Sequence, residues 1–324
     1  MNINANISNI SIVGATGLVG KMFARVLTEE KIHANYTLFN RTGGATVEIN
    51  GRQYKTIALT DENIAKTRCD FALFSAGADI SLQFAPKFAQ NGAVVIDNSS
   101  AWRRDPSIPL VIPEVNPDAL ATTRAAMSKK TGAVVANPNC TTIGALVALA
   151  PLDRAFKLKR VIYSTYQAIS GAGANPKFDY PIDNNAIPYI GGEEEKMVFE
   201  TRKILGHEDI GVSATCVRIP VANCHTISIN AQFERPFTIM DVKRALIGAP
   251  GLVVLPDLTD APRLPTALPP LPMPIVAEGH NEVFAGRFRI DDSAPNTINF
   301  LTASDNIRKG AATNAVQILK CLMS

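Results

Sequence analysis

The segment NISIVGATGLVGKMFARVLTEE, residues 9–30, constrains this chain more than any other. NISIV has the length and β-branched content of a buried strand, and beyond the glycines the apolar residues recur at helical spacing. A strand that passes through a glycine turn into an amphipathic helix is the opening of a βαβ unit. Gly14, Gly17 and Gly20 stand in a G-x-x-G-x-x-G spacing, and Thr16, Leu18 and Val19 complete the turn. Backbone amides and a helix N-terminus at such a turn can approach a pyrophosphate. The same glycines also suit tight packing of helix on strand, and both uses stay open here.

YTLFN, FALFSAG and GAVVIDNSS follow as short apolar strands separated by helical stretches. This alternation predicts an α/β fold whose N-terminal part is a Rossmann-like doubly wound sheet, with ligands outside the carboxyl ends of the strands. After about residue 150 the strands lengthen and alternate with polar residues, as in RVIYSTYQAIS, ATCVRIPV and HTISINAQF. They predict an α+β domain with a mainly antiparallel sheet. The proline-rich stretch 256–276 reads as an extended surface crossing. The ending DNIRKGAATNAVQILKCLM reads as a helix, with Ala311, Ala315, Ile318 and Leu322 near one face, that returns to the first domain. The expected domains are therefore 1–139 with 306–324, and 140–305.

Composition narrows the function. Of 324 residues, 46% are hydrophobic and 19% charged, enough apolar content for two sizeable cores. No apolar run reaches the roughly 18 residues of a membrane span, and the start lacks a signal-peptide pattern, so the cytoplasm is the expected compartment. The five cysteines are widely spaced and form no C-x-x-C pair, which indicates neither a disulfide framework nor a metal site. A net charge of +3 without a basic block gives no support to a nucleic-acid partner and suits a small anionic ligand. An NAD site carries an Asp or Glu about 20 residues after the glycine turn, on the ribose 2′-hydroxyl. Here YTLFNRTGG offers Asn40, Arg41 and Thr42 instead. A cation and a hydroxyl suit a 2′-phosphate, so the expected cofactor is NADP.

Cys140 lies in NPNCTT, between the strand-like AVVAN and the helix-like TTIGALVALAPL. At the first turn of a helix, amide dipoles favour the thiolate. Asn139 can cap that helix or donate toward a developing oxyanion, and the sequence leaves both open. His225 opens HTISINAQF, on the strand face that carries Ile227, Ile229, Ala231 and Phe233. By itself that position fits a core histidine as well as an acid/base group.

GATGLVG, DNSSAWR, PEVN, NPNCTT, YQAISGAG, EEEKM, VRIPVANCH and SDNIRKGAATNAVQ occur in this order along the whole chain. Together they resemble the aspartate-β-semialdehyde dehydrogenase family, in its shorter bacterial form. The resemblance implies NADPH-dependent reduction of L-4-aspartyl phosphate to aspartate semialdehyde and phosphate, a step of lysine, threonine, methionine and diaminopimelate synthesis. It implies a cysteine thioester on Cys140, acid/base work by His225, and orientation of the substrate carbonyl by Gln167. Arg218 would pair with the substrate carboxylate, Glu193 with its amine, and Arg103 with Lys196 would hold phosphate. Ser170 and Gly171 would approach the nicotinamide, and Asn306 would contact the cofactor. The chain departs from the family at Thr226 and Ile227, where relatives carry Ser-Glu. Family members are dimers or tetramers built through the second domain. The alternatives are an N-acetyl-γ-glutamyl-phosphate reductase, which EEEKM and YQAISGAG argue against, and a catalytically silent relative.

Overall fold

The computed structural model describes residues 8–256 and 271–324. Most of the proline-rich stretch, residues 257–270, lies outside them. The chain divides into two compact units: the first runs to Pro113 and adds Pro117–Pro138 and Ala311–Ser324, and the second holds Glu114–Asn116 and Asn139–Gly310. Asn139 and residues 306–310, expected with the first domain, group with the second unit.

In the first unit, β1 (Asn9–Val13), β2 (Asn35–Asn40), β5 (Ile57–Ala58), β6 (Phe71–Phe74), β7 (Val94–Asp97) and β8 (Ala133–Ala136) form one parallel sheet. Its order is β5-β2-β1-β6-β7-β8, so the strand sequence reverses direction at β1. Val13 pairs with Phe39 and with Phe74, and Phe74 pairs with Asp97. The carboxyl ends are thereby in line, and the glycine turn, Arg41 and the segment after Asp97 emerge from the same edge. Both faces are covered, which is why these strands are apolar throughout. On one face Ile10, Ile12 and Leu73 pack with Phe23 and Leu27 of α1 (Leu18–Glu29) and with Ala315, Ile318 and Leu319 of α9 (Asn314–Met323). The C-terminal helix therefore does return to the first unit. On the other face Phe39 and Phe74 meet Phe88 of α3 (Ala78–Gln90) edge-on. A small hairpin, β3 (Thr46–Ile49) with β4 (Arg52–Lys55), was not anticipated.

The second unit is built on a mixed sheet of order β10-β9-β11-β14-β13-β12. Its strands are β9 (Leu158–Gln167), β10 (Gly211–Arg218), β11 (His225–Phe233), β12 (Leu252–Val254), β13 (Val283–Ile290) and β14 (Thr297–Ser304). The β9–β11, β11–β14 and β13–β14 pairs are antiparallel, and the two outer pairs are parallel. Along β11 every second residue from His225 to Phe233 is buried, the alternation of a sheet with one covered face. The cover is α5 (Cys140–Phe156), which packs on β9, β11 and β14, and α6 (Glu193–Leu205), which packs on β10 and α5. Among the described residues no helix is long and apolar enough to cross a membrane.

Candidate active site

α5 begins at Cys140, and its N-cap is Asn139. Asn139 Oδ1 accepts from the backbone N–H of Thr141 at 2.9 Å and of Thr142 at 3.2 Å. This satisfies two of the orphan donors of a helix start and leaves the amide nitrogen to donate elsewhere. It donates to Glu193 Oε1. Glu200 Oε2 accepts the backbone N–H of Asn139 at 2.7 Å. Glu193 and Glu200 are two turns apart on α6, so one face of that helix grips both the side chain and the backbone of the residue before the cysteine. Although EEEKMVFETRKILG is rich in charged residues, Glu193, Met197, Glu200, Thr201 and Ile204 are buried. The sequence signal for Glu200 was a carboxylate within the stripe Glu193, Met197, Glu200, Ile204, but its role had not been anticipated.

His225 Nε2 lies 3.3 Å from Cys140 Sγ. Its Nδ1 accepts the backbone N–H of Ala168 at 3.0 Å. Because an amide can only donate there, the neutral ring carries its proton on Nε2, toward the sulfur. His225 is 1% exposed. Burial, and then the guanidinium of Arg218, push its pKa down to about 3, against a smaller opposing pull from Glu193. Arg218 is buried at the end of β10 and donates from Nη1 to the carbonyl of Ala168 at 2.6 Å. Gln167 closes β9 beside it, 1% exposed, with Nε2 3.3 Å from Thr165 Oγ1. Ile227 is buried two residues after His225, near Gly144 of α5, whose added Cβ would lie 3.5 Å from Ile227 Cδ1.

Lys196 Nζ is 3.1 Å from Glu193 Oε2. Although burial alone would raise the Glu193 pKa, the Lys196 ammonium and the Asn139 amide outweigh it and hold the carboxyl below its ordinary value. Ser170 and Gly171 lie in the helical turn Ile169–Ala172. A Cβ on Gly171 would come within 2.8 Å of Arg218 Nη1 and 2.9 Å of His225 Cε1, so only glycine fits without displacing them. Asn306 is 5% exposed, and its side chain is bound to Ser170 and to the backbone of Cys224. A cavity of about 650 Å³ opens beside Arg218, lined also by Phe178, Tyr180, Ile187 and Tyr189. The second unit thus brings together Asn139, Cys140, Gln167, Ser170, Gly171, Glu193, Lys196, Arg218, His225 and Asn306.

The first unit carries the other candidates. Gly14 has φ +84°, and a Cβ there would sit 2.3 Å from the Ser75 carbonyl oxygen; one on Gly20 would sit 2.1 Å from the Gly14 oxygen. These two glycines allow close packing of the turn, while Thr16 and Gly17 are exposed at the entrance to α1. The first amides of that helix, on Leu18, Val19 and Gly20, precede its internal bonding. Arg41 and Thr42 are exposed just past the carboxyl end of β2. Arg103 is buried with Nη2 donating to the Asn98 carbonyl at 2.8 Å, whereas Arg104 is exposed. Both ends of the Asn98 side-chain amide are buried without a partner among the described residues, a ligand-seeking feature at the end of β7 that sequence reasoning missed. No group of three or more metal-ligating side chains occurs among the described residues.

Comparison with known proteins follows the same division. Residues 9–123 match the family model described as semialdehyde dehydrogenase, NAD binding domain, and residues 149–309 match semialdehyde dehydrogenase, dimerisation domain. An aspartate-semialdehyde dehydrogenase of Aquifex aeolicus is 43% identical, with 97% of each chain covered. One from Campylobacter jejuni is 38% identical, with 95% of each covered. A solved structure of aspartate semialdehyde dehydrogenase II from Vibrio cholerae, complexed with ASA, has 35% identity and a TM-score of 0.86 over 98% of each chain. One from Candida albicans, solved with NADP, has 27% identity and a TM-score of 0.81, over 98% of each chain. With a relative this similar along nearly its full length, a parallel-sheet nucleotide domain and a mixed-sheet partner domain, the chain belongs to the aspartate-semialdehyde dehydrogenase family of oxidoreductases.

Proposed function

We propose that this enzyme converts L-4-aspartyl phosphate to L-aspartate 4-semialdehyde and phosphate with NADPH, through a thioester on Cys140. The observation that carries this reading is Cys140 at the first position of α5 with its sulfur 3.3 Å from His225 Nε2. The helix N-terminus and the Nε2–H of His225 both favour negative charge on sulfur. The thiolate attacks the acyl carbon; a C–S bond forms, the bond from carbon to the phosphate oxygen breaks, and phosphate leaves with that electron pair. NADPH, when bound, supplies the hydride that reduces the thioester. Collapse of the resulting thiohemiacetal breaks the C–S bond and returns the thiolate. Throughout, the Nε2 proton of His225 is the group at hand for the developing negative charge.

Arg218 is assigned to the substrate carboxylate, Gln167 to its carbonyl and Glu193 to its amine. Lys196 and Arg103 are assigned to the phosphate. For the cofactor we assign Gly14, Thr16, Gly17, Leu18, Val19 and Gly20 to the pyrophosphate, Arg41 and Thr42 to a 2′-phosphate, and Ser170 and Gly171 to the nicotinamide side. Asn40 closes β2 and Arg41 and Thr42 follow it, where an NAD site would carry a carboxylate, which supports NADP over NAD. Asn139 is read as a cap, because its oxygen accepts from Thr141 and Thr142 and its amide nitrogen donates to Glu193. The dimerisation-domain match supports a homodimer. The enzyme's place is then in lysine, threonine, methionine and diaminopimelate synthesis, in the cytoplasm. Purified protein should reduce NADP in the presence of aspartate semialdehyde and phosphate, faster than NAD. Better turnover of an N-acetylglutamyl phosphate, or none of either substrate, would refute the assignment.

A further inference from the structure

The residue before His225 is held in a backbone conformation that its type disfavours. Cys224 has φ +72° and is fully buried among Leu255, Val276, Phe284 and Ala303. With a side chain present, that region sets Cβ against the backbone, which is why glycine usually occupies it. Such a conformation persists where its surroundings over-determine it. Here Asn306 Oδ1 accepts the Cys224 N–H at 2.9 Å. The same amide meets Ser170 Oγ with both ends, 3.3 Å from Oδ1 and 3.1 Å from Nδ2. Ser170 belongs to the turn that follows Ala168, and Ala168 binds both His225 Nδ1 and Arg218 Nη1. One buried side chain therefore ties together the two backbones that aim the imidazole: the strained residue preceding it and the turn that holds its Nδ1.

We propose that Asn306 is a positioning residue for His225. It locks Cys224 in the left-handed conformation and docks the 168–171 turn beside it, so that Nε2 faces Cys140 Sγ. The inference rests on the reading of Cys140 and His225 as the reacting pair. The lock matters because Cys224 carries a side chain; glycine at 224 would adopt the same φ without it.

The test uses the full-length enzyme, Asn306→Ala, and Asn306→Ala combined with Cys224→Gly. Asn306→Ala should lower kcat by about 100-fold, the scale expected when a reacting group is displaced by about an ångström. The KM for NADP should stay within about twofold, and Cys224→Gly in that background should recover about tenfold in kcat. A rise in the KM for NADP with kcat unchanged would make Asn306 a cofactor contact and overturn the proposal, as would failure of Cys224→Gly to restore any rate. A second readout needs no turnover: ¹⁵N NMR of His225 should show a protonated Nε2 and a bare, amide-bonded Nδ1 in the parent, and loss of that fixed pattern in Asn306→Ala. An unchanged pattern refutes the tether. Parent enzyme inactive with aspartate semialdehyde would refute the reaction, while the NMR comparison would still decide the role of Asn306.

Discussion

At the scale of single residues, the site separates groups that react from groups that hold. Cys140→Ser should lower turnover by at least about 10³-fold, since the hydroxyl is a far weaker nucleophile, while NADP affinity measured by fluorescence titration stays unchanged. Loss of NADP binding would contradict this division of labour. Arg218→Lys should act mainly on KM: a lysine loses the planar fork while keeping the charge, a loss worth roughly tenfold in KM for the semialdehyde. A fall in kcat alone would remove Arg218 from the substrate carboxylate. His225 also makes a pH prediction. Its folded pKa is lowered from 6.5 to about 3, by burial first and by Arg218 second. Between those values the unfolded chain binds a proton that the folded chain refuses, so stability rises with pH across that window and falls on acidification. Above pH 6.5 the neutral ring costs nothing in charging. His225→Gln should therefore flatten the pH dependence of the unfolding free energy between about pH 3 and 6.5, by at most about 1.4 kcal/mol per pH unit. An unchanged slope in denaturant titrations would show that His225 is not buried in its neutral form.

At the scale of elements, Asn139 illustrates how caps and catalysis share atoms. Asn139→Ala removes the cap of α5 and should destabilise the protein by about 1 kcal/mol, whereas Asn139→Asp keeps an acceptor for Thr141 and Thr142 but sets a carboxylate oxygen against Glu193 and should lose more. A smaller loss for Asn139→Asp in chemical denaturation would show that the cap outweighs the contact with Glu193. The elements themselves were legible where one principle dominates. The glycine turn between β1 and α1 was readable because only glycine satisfies φ +84° and the 2.1 Å approach at Gly20. The strand β11 was readable because one covered face imposes a strict alternation from His225 to Phe233. What was not readable had competing causes. Seven of the thirteen residues of EEEKMVFETRKIL are charged, which suggests solvent, yet one face of α6 is buried because Glu193 finds Asn139 and Lys196, and Glu200 finds the Asn139 amide. Pairing of a carboxylate with a residue over fifty positions away leaves no local pattern. The β3–β4 hairpin does leave one, Asn50-Gly51 with both residues at positive φ, but its strands are short and polar and give little pattern on either side of it. Asn306 lay in a recognised motif, but its partners Cys224 and Ser170 become visible only once the chain is folded.

At the scale of the whole molecule, the second unit leaves one broad surface to be accounted for. Helices α5 and α6 cover one face of its sheet. On the other face β9, β11 and β14 line up Tyr166 and Thr226 in one row, which ends at Ala303 buried with Leu255, Val276 and Phe284, then Ser164, Ser228 and Leu301 in the next, and Ile162, Asn230 and Asn299 in a third. No side chain in these rows is charged, and Tyr166 is 41% exposed. Surfaces of soluble monomers are normally studded with charge, and its depletion over a flat patch that includes a large aromatic marks the core of an interface. The residues lie inside the segment matched by the dimerisation domain, and a sheet face can meet its own copy about a twofold axis. Ser228, at the middle of the middle row, is the place to test this. Ser228→Arg would bring two like charges close to the axis, while Asp291, the carboxylate that accepts from Asn230 in the neighbouring row at 2.7 Å, is already hydrogen-bonded. Sedimentation should find a dimer in the parent and a shift to monomer in Ser228→Arg, with the dissociation constant raised by about 100-fold or more, while Ser228→Ala stays dimeric. A dimer that tolerates Ser228→Arg would mean that the copies meet elsewhere on the second unit and that this uncharged face serves another purpose.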